Sequence, residues 1–460
     1  MTETAIPNSN VPVTRGRIDP QRLAWGVLLL SFALFCVLVV VVGVGVNLFL
    51  FQSQVAMQSA LTVGRGSAGI TNPSDSSERN ERGEASLSVG SSVTVDPVSQ
   101  ATMSFTNART GQFVAAITIK SNSGVMLRSA AQPRFDWSTS TYLINLPNAR
   151  GEFDVLIAEN LDHDIVVSFT TREPEAVRVN MSESGRYTLH VSDTQVQVFA
   201  REGRAFLIPT AAQGYSISDG AQAIYRLGSD VSPETRPGYA NLLQNSFLNE
   251  LNQNVSAGDN AQELLAGWAC GNDPNDNPRG SFRSQILDGR MTLRLERYQD
   301  ATSHGRTSCY QSFGQDGVDV SGYDYVSLRS VFSIHYQSLA ACGTEGSECP
   351  LTFRLDYIDA NGRGQKWFHG FYTHDHPQSA YPLRCSTCLE PHEFINGGSW
   401  YIYDSGNLFS LFLPDQQMQR IVGVMFYASG HQYDVYVSEV SLLTGGAEAN
   451  SVDLEPAETQ

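Results

Sequence analysis

The amino-acid sequence predicts an all-β protein that carries one N-terminal transmembrane helix. Two observations support this prediction: a long uncharged segment near the N-terminus, and short runs of alternating apolar residues through most of the remaining chain. The net charge of −17 over 460 residues argues against a nucleic-acid partner, because such partners need a basic face that displaces counterions from phosphate.

The uncharged segment runs from Leu23 to Phe51. As a helix it is about 43 Å long, which exceeds a hydrocarbon core of about 30 Å. The apolar core of a secretory signal has only about 7–15 residues, so we interpret residues 23–51 as an uncleaved signal-anchor, with a cleaved signal as the alternative. Three arginines lie between residues 15 and 22, and the positive-inside rule therefore places the N-terminus in the cytoplasm and the bulk of the chain outside.

Three segments are predicted to be unfolded. Residues 1–22 form a short, proline-containing cytoplasmic stub, and residues 445–460 form an acidic tail. Residues 52–85 are rich in Ser, Gly, Asn and Arg and show no apolar period. Segments that cannot bury an apolar core stay disordered, so residues 52–85 are expected to be a flexible stalk.

The cysteines outside the helix predict a disulfide framework, because their number is even and they lie on the non-cytoplasmic side. They are Cys270, Cys309, Cys342, Cys349, Cys385 and Cys388. We expect one bridge between the first two and local bridges within each following pair. The alternative is a four-thiolate zinc site made by the last four, since Cys-x2-Cys is a usual ligand spacing.

Residues 86–228 are predicted to be a β domain, and residues 229–240, with two prolines, a linker. Turn residues separate short alternating runs in the domain, and no helical period appears. The predicted strands are Ser92–Pro97, Phe113–Lys120, Ser140–Leu146, Phe153–Ala158, Ile165–Thr170, Ala176–Asn180, Tyr187–Val191, Gln195–Ala200 and Ala205–Pro209.

Part of this domain resembles the FecR-like extracytoplasmic domain. The similar segments, in the order of that family's motifs, are Gly151–Val155, Ile165–Thr171, Gly185–Val191 and Val196–Gly203. The resemblance covers roughly residues 140–227 and implies a β-solenoid or sandwich that contacts other proteins. FecR proteins signal to a cytoplasmic sigma factor through an intracellular domain, and a stub of residues 1–22 offers none, so we do not expect sigma-factor regulation.

Residues 241–444 are predicted to form a second β domain that resembles galactose-binding-like β-sandwiches. The resemblance begins at Asn241–Phe247 and ends at Asp434–Leu442, which is similar to the last strand of that family. It implies a jelly-roll sandwich, which often holds a structural calcium ion. For the first of these segments a helix is the alternative, because Tyr239–Leu251 carries apolar residues at the spacing of one helix face.

Motifs for common catalytic sites are incomplete in the sequence. His392–Asn396 lacks the second histidine of a metalloprotease motif, and Gly64–Gly69 matches a dinucleotide-binding glycine pattern without a βαβ unit around it. His374 and His376 are spaced like paired metal ligands on a strand, but Pro377 beside them favours a polar loop. We therefore predict no catalytic residue, no metal ligand and no cofactor, with a structural calcium ion, to which no ligands are assigned, as the alternative.

Aromatic residues are concentrated between Lys366 and Asp404. Exposed rings stack on sugar faces while nearby polar groups bind the hydroxyls. The sequence predicts a ligand surface made by Trp367, His369, Trp400 and Tyr403, with core packing of these rings as the alternative.

Together these patterns predict a single-pass cell-membrane protein whose outer part binds a glycan or an envelope component without catalysis. One alternative is a transmembrane signalling component related to FecR-type regulators. A second is a carbohydrate-active enzyme, which needs two carboxylates about 5–10 Å apart in a cleft.

A thiol titration distinguishes the disulfide framework from the zinc site. We expect the denatured, unreduced chain to react at Cys36 alone, even with a chelator present, because bridged cysteines do not react. A zinc site would release four more thiols under these conditions. The dithiothreitol-reduced chain is the control, and it should show all seven cysteines.

Overall fold

A computed structural model describes residues 20–73, 77–172, 176–210, 213–229, 231–251, 265–298, 300–375 and 381–445. The chain forms two compact units, one with residues up to 54 and residues 133–140, the other with residues 55–132 and those from 141 onward. The all-β prediction is confirmed, and the described part of the chain contains one long apolar helix. Most of the predicted stub and tail lies outside the described residues.

The first unit contains helix α1, Pro20–Asn47, which continues as a π-helical turn, Leu48–Gln52. Beyond Arg22 the helix carries no charge, and all of its residues are exposed, so its surface is apolar on every side. Its length and composition suit a membrane span or a signal sequence. The predicted segment, Leu23–Phe51, lies within these helical residues.

The strands fall into two β regions, and both belong to the second unit apart from Gln54 of β1 and Pro133 of β10. The first β region contains β1 Gln54–Ala56, β2 Gln58–Arg65, β3 Ala68–Thr71, β4 Glu78–Glu81, β5 Glu84–Ser86, β6 Ser92–Val95, β7 Gln100–Thr106, β8 Phe113–Ile119, β9 Gly124–Met126, β10 Ser129–Pro133, β11 Tyr142–Pro147, β12 Gly151–Ile157, β13 Ile165–Thr170, β14 Val177–Met181, β15 Gly185–Val191, β16 Gln195–Glu202, β17 Ala205–Pro209, β18 Tyr215–Ile217, β19 Ala221–Arg226 and β20 Glu234–Pro237. The second contains β21 Ala240–Asn241, β22 Ala269–Asn272, β23 Ser281–Leu287, β24 Arg290–Arg297, β25 Gly305–Ser312, β26 Val318–Asp319, β27 Tyr325–Gln337, β28 Leu351–Asp359, β29 Gly364–Tyr372, β30 Glu393–Phe394, β31 Tyr401–Asp404, β32 Met418–Gly430 and β33 Tyr433–Gly445. A short 3-10 helix, Leu408–Leu411, precedes β32.

Sheets A, B and C build the first β region. Sheet A has the order β1-β10-β11-β13-β14-β17-β18, sheet B the order β20-β19-β16-β15-β12-β8-β7-β2-β5, and sheet C the order β4-β3-β6-β9. Successive side chains on a strand point to opposite faces, and the inward ones, such as Ile70, Phe153 and Phe169, share one buried core. Each of the predicted strands in this region overlaps an observed one.

Sheets D and E form a β-sandwich in the second β region. Sheet D has the order β23-β24-β33-β27-β31, with β21 also paired to β33, and sheet E has the order β22-β25-β32-β28-β29-β30, with β26 also paired to β32. Leu293 and Val435 of sheet D share a buried core with Phe353 and Phe426 of sheet E. Every residue of β33 from Tyr433 to Thr444 is buried, so sheet D is covered on both faces, whereas antiparallel sheets commonly leave one face in water.

The flexible stalk predicted for residues 52–85 is wrong. Strands β1 to β5 occupy most of this segment, and β2 pairs with both β5 and β7. Met57, Leu61 and Val63 point into the core and are almost fully buried. The polar composition hid a regular alternation, in which the small or polar partners of these residues face outward.

The linker predicted for residues 229–240 is wrong in part, because Glu234–Pro237 is strand β20 and pairs with β19. The helix considered for Tyr239–Leu251 is also wrong. Ala240 and Asn241 instead pair with β33, and turns follow. This agrees with the alternative in which the segment opens a β-sandwich.

The disulfide prediction is confirmed at each bridge. Cys270 joins Cys309 between β22 and β25, while Cys342–Cys349 and Cys385–Cys388 close short loops. Such bridges stabilise mainly by restricting the unfolded chain, and they persist in oxidising compartments.

One buried arginine holds three loops of the second β region together. Arg297 is 1% exposed, and its guanidinium donates to the carbonyl oxygens of Pro278 at 2.9 Å, Ser303 at 2.7 Å, Gly430 at 3.0 Å and His431 at 2.7 Å. Three of these four bonds come from one terminal nitrogen of the guanidinium, a group that has several donors and no acceptor.

Replacing this arginine tests its importance to the fold. Arg297→Met should lower the free energy of unfolding by about 3 kcal/mol or more, because several buried carbonyl groups lose their donor. Arg283→Met, at a half-exposed arginine beside Glu296, is the matched control and should change it by less than about 1 kcal/mol. Urea unfolding of the full chain in detergent gives both values, and equal midpoints for the two variants would contradict this role.

Candidate ligand-binding groove

The predicted ligand surface is buried, which contradicts its proposed contact with sugar. Trp367 is 0% exposed, and the other three predicted residues are between 6% and 7% exposed. Three of the four come together as a stack in the sandwich core: the His369 ring lies 6.0 Å from that of Trp367 and 4.9 Å from that of Tyr403. These rings pack the core, as the alternative interpretation held, and burial raises the pKa of Tyr403 far above its usual value.

Trp400 lies apart from this stack, in a smaller cluster with Val331 and Ile402. Its indole N–H donates to a carboxylate oxygen of Asp288 at 2.9 Å, and the guanidinium of Arg290 sits 4.7 Å from the centre of its ring. Both contacts hold the ring in place, so Trp400 too is a packing residue.

The alternative zinc site is also contradicted. The sulfur atoms of the two local disulfides surround the His392 ring, but bridged sulfurs are not thiolate ligands. The backbone N–H of Gly370 donates to Nδ1 at 3.0 Å, and Nε2 lies 2.8 Å from the carbonyl oxygen of Gly346. Nε2 therefore carries the ring's proton, and burial lowers the pKa of His392, so the ring is neutral and both nitrogens are engaged. Of the pair His374 and His376, the second lies outside the described residues.

A buried network of charges joins sheet B to sheet D within the second unit. The Arg329 guanidinium on β27 lies 2.9 Å from a carboxylate oxygen of Asp154 on β12 and 3.2 Å from one of Glu439 on β33. Arg201 on β16 also donates to Glu439, at 3.1 Å through one nitrogen, and the Lys120 ammonium lies 3.3 Å from Asp154. We call these five residues the charge network.

The basic residues of the charge network keep its two buried carboxyl groups ionised. Burial alone would raise the pKa of Glu439, but Arg201 and Arg329 outweigh it and hold that pKa at about 2. Burial would likewise raise the pKa of Asp154, and Arg329 and Lys120 hold it well below its usual range. Both carboxyl groups are therefore ionised throughout the physiological range.

Neutral hydrogen bonds extend the same contact. The Gln100 amide accepts from the backbone N–H of Ile402 at 2.8 Å and donates to its carbonyl oxygen at 3.0 Å, so it imitates a neighbouring strand at the edge strand β31. The Asn396 amide donates to the carbonyl oxygens of Val63 at 2.8 Å and Arg82 at 3.0 Å. These contacts fix the register of the two β regions.

A groove opens where the packing of sheets B and D ends. It consists of two adjoining cavities of about 250 and 720 Å³, both lined by Gln197, Gln222, Tyr239 and Tyr325. We call this the junction groove. Its smaller cavity reaches Lys120 and two arginines of the charge network, and also Asp404. Where the two cavities meet, the groove therefore offers the rings of two tyrosines and two amides, and its smaller cavity adds charged groups of both signs.

Tyr239 is the exposed ring of the groove. It is 41% exposed, and its ring centre lies 4.9 Å from that of Tyr325. Glycine provides the space for it, because a Cβ atom at Gly445 would lie 2.9 Å from the Tyr239 ring. Burial, and then the nearby Asp404, raise the pKa of Tyr325 to about 12, so its hydroxyl remains protonated.

Sequence reasoning missed the junction groove, since it assigned Tyr239 to a linker. One signal was present: Arg329 and Glu439 are charged residues in the middle of two strands whose neighbouring residues are apolar, tyrosine or serine. A charge at the centre of a buried strand requires a partner, and here that partner belongs to the other β region.

Comparisons with known proteins give distant likenesses only. No family model matches the chain, so the FecR-like resemblance stays a prediction, and no curated protein matches either.

Among solved structures, the chain is similar to the CBM22-1 xylan-binding domain of Xyn10C from Paenibacillus barcinonensis, with 14% identity over 46% of this chain and 97% of that one and a TM-score of 0.24. It is similar to the family 11 carbohydrate-binding module of Lic26A-Cel5E from Clostridium thermocellum, with 13% identity over 40% of this chain and 92% of that one and a TM-score of 0.23. It is also similar to a candidate anti-sigma factor from Parabacteroides distasonis, with 11% identity over 44% of this chain and 97% of that one and a TM-score of 0.23. Scores of this size carry no argument about function.

The charge network predicts acid-dependent loss of stability. The folded-state pKa of Glu439, about 2, lies below its usual value of 4.5, so its contribution is complete above the usual value and is lost as the pH falls towards 2. Glu439→Gln should therefore flatten the decline of unfolding free energy in this window, and it should cost about 3–5 kcal/mol at neutral pH by leaving buried arginines underpaired.

The control is Glu234→Gln, at a pair with Arg236 in which both side chains are about half exposed. This change should cost less than about 1 kcal/mol and leave the acid slope intact. Urea unfolding of the full chain in detergent, followed by circular dichroism between pH 2 and 7, supplies the comparison. A Glu439→Gln variant that matches wild type in both slope and neutral stability would refute the prediction.

Proposed function

We propose that this protein is a membrane-anchored cell-surface binding protein whose junction groove takes a short stretch of glycan. The observation that carries the proposal is the half-exposed Tyr239 ring, supported by Tyr325 and placed beside the amides of Gln197 and Gln222. Helix α1 supports attachment to a membrane, and the three disulfides support an oxidising compartment outside the cytoplasm.

The chemistry of the groove fits a sugar better than a purely apolar or purely ionic ligand. Aromatic rings present flat apolar faces that stack on the C–H face of a pyranose, while amide groups both donate to and accept from hydroxyl groups. The larger cavity, about 720 Å³, lies in the range of small-molecule sites, roughly 300–1,000 Å³. Lys120 and Asp404 at the inner end add charged hydrogen-bond partners for further hydroxyls.

The groove supports binding rather than hydrolysis. A glycosidase needs a general acid with a raised pKa near its catalytic base. The carboxyl groups that line the smaller cavity are those of Glu152 and Asp404. The Lys120 ammonium binds the first, and the backbone N–H of Gly406 donates to the second at 2.9 Å. Asp154 and Glu439 do not line the groove but bind its arginines, Arg329 and Arg201, and their lowered pKa values keep them ionised.

A glycan array on the full chain in detergent, followed by calorimetry with the best sugar, tests this function. Tyr239→Ala should weaken binding by about tenfold, as expected for the loss of one stacking ring. Tyr336→Ala is the matched control, because that tyrosine is 44% exposed and lies outside the groove, and it should bind as wild type does. Binding to no sugar on the array would overturn the ligand class, whereas full affinity in Tyr239→Ala would overturn the site.

A further inference from the structure

A loop from the middle of the chain closes over the end of the apolar helix. Pro133–Ser140 belongs to the same compact unit as α1, although some eighty residues separate them. The Ser138 hydroxyl donates to the Phe51 carbonyl oxygen at 2.6 Å, and the Thr139 N–H donates to the same oxygen at 2.9 Å. The last carbonyl groups of a helix have no partner within it, so this loop supplies the missing donors.

The same loop carries aromatic rings beside those of the helix end. The Phe135 ring meets the Phe49 ring edge-on at 5.7 Å, and the Trp137 ring stacks on Phe135 at 5.0 Å with an angle of 8°. The Arg134 guanidinium lies 5.2 Å from the centre of the Phe49 ring. Trp137 is 60% exposed and Phe49 is 52% exposed, so the cluster presents a large aromatic face to its surroundings.

The position of the helix end indicates that this aromatic face lies among lipid headgroups. The uncharged segment Leu23–Phe51 is about 43 Å long against a hydrocarbon core of about 30 Å. Its last turn, with Phe49 and Phe51, therefore reaches the lipid headgroups, the layer in which tryptophan is enriched. Phe135 contacts Phe49 of that turn, and Trp137 stacks on Phe135. Both rings therefore lie at the same depth in the membrane as the last turn of the helix. The Arg134 guanidinium, which lies against the Phe49 ring, places a positive charge at this depth, where lipid phosphate groups are.

The geometry points to Pro133–Ser140 as a second membrane contact, in which Trp137 and Phe135 are immersed in the outer headgroup layer beside the end of α1. This inference rests on the proposed membrane attachment. The partner of this loop is the lipid bilayer rather than a protein. The loop is bound to the helix end, and the exposed face of Trp137 continues the apolar surface of the helix.

Tryptophan quenching by brominated lipid tests the contact. The full chain is placed in phosphatidylcholine vesicles with bromine near the headgroup end of the acyl chains, and the emission of Trp137 is taken as wild type minus Trp137→Phe. We expect about twofold quenching of this emission by the lipid and little quenching by aqueous acrylamide. Trp137→Phe retains an aromatic ring at an exposed position, so folding is expected to be preserved.

Two other tryptophans make the outcomes distinct. Trp25 lies at the opposite end of α1, and Trp268 is buried in the second β region at 2% exposure. Emission of Trp25, taken from Trp25→Phe in the same way, should be quenched by the lipid, and that of Trp268 should not. If Trp25 is quenched while Trp137 responds only to acrylamide, the loop contact is overturned and the anchor stands.

If neither Trp25 nor Trp137 is quenched by the lipid, the anchor itself fails and the loop contact falls with it. If Trp137 responds to neither quencher while Trp25 does, a protein surface such as a second copy of this chain covers the ring, and this too overturns the inference.

Discussion

The contact between sheets B and D, through oppositely charged buried side chains, is the constraint on which the second unit depends. Each charge would be costly alone in a low-dielectric interior, so the members are stable only as a set. Arg329 contacts both carboxylates, Asp154 from one β region and Glu439 from the other. Because this contact covers the outer face of sheet D, β27 and β33 are buried strands, and the two β regions form one body instead of two modules on a linker.

The strands were predictable because each buries one face in a sheet and therefore shows a period of two. Phe153, Val155 and Ile157 illustrate this on β12, where the sequence pattern and the burial agree. The pattern failed for β2, whose inward residues Leu61 and Val63 are separated by Thr62 and preceded by polar and small residues. There the polar composition of residues 52–85 as a whole outweighed the short alternation within β2, so a folded segment was interpreted as a flexible stalk.

The site was less predictable, because alternation shows which residues share a face but not what covers that face. Trp367 and His369 do share a face, as predicted, yet sheet D packs over it. The junction groove brings together Gln197 of β16, Gln222 of β19, Tyr239 and Tyr325 of β27, which no local pattern connects. Their proximity follows from the docking of the two β regions, and that docking is encoded by isolated charges whose partners lie far along the chain.

Arg297 shows how this fold provides an internal cation. Its guanidinium gathers four loop carbonyl oxygens, an arrangement of donors and acceptors that resembles a coordination sphere. Unlike a bound ion, this cation is covalently part of the chain. The loops it joins therefore cannot be released by chelation or by dilution of salts. The shape of this part of the sandwich therefore does not depend on the supply of a dissolved ion.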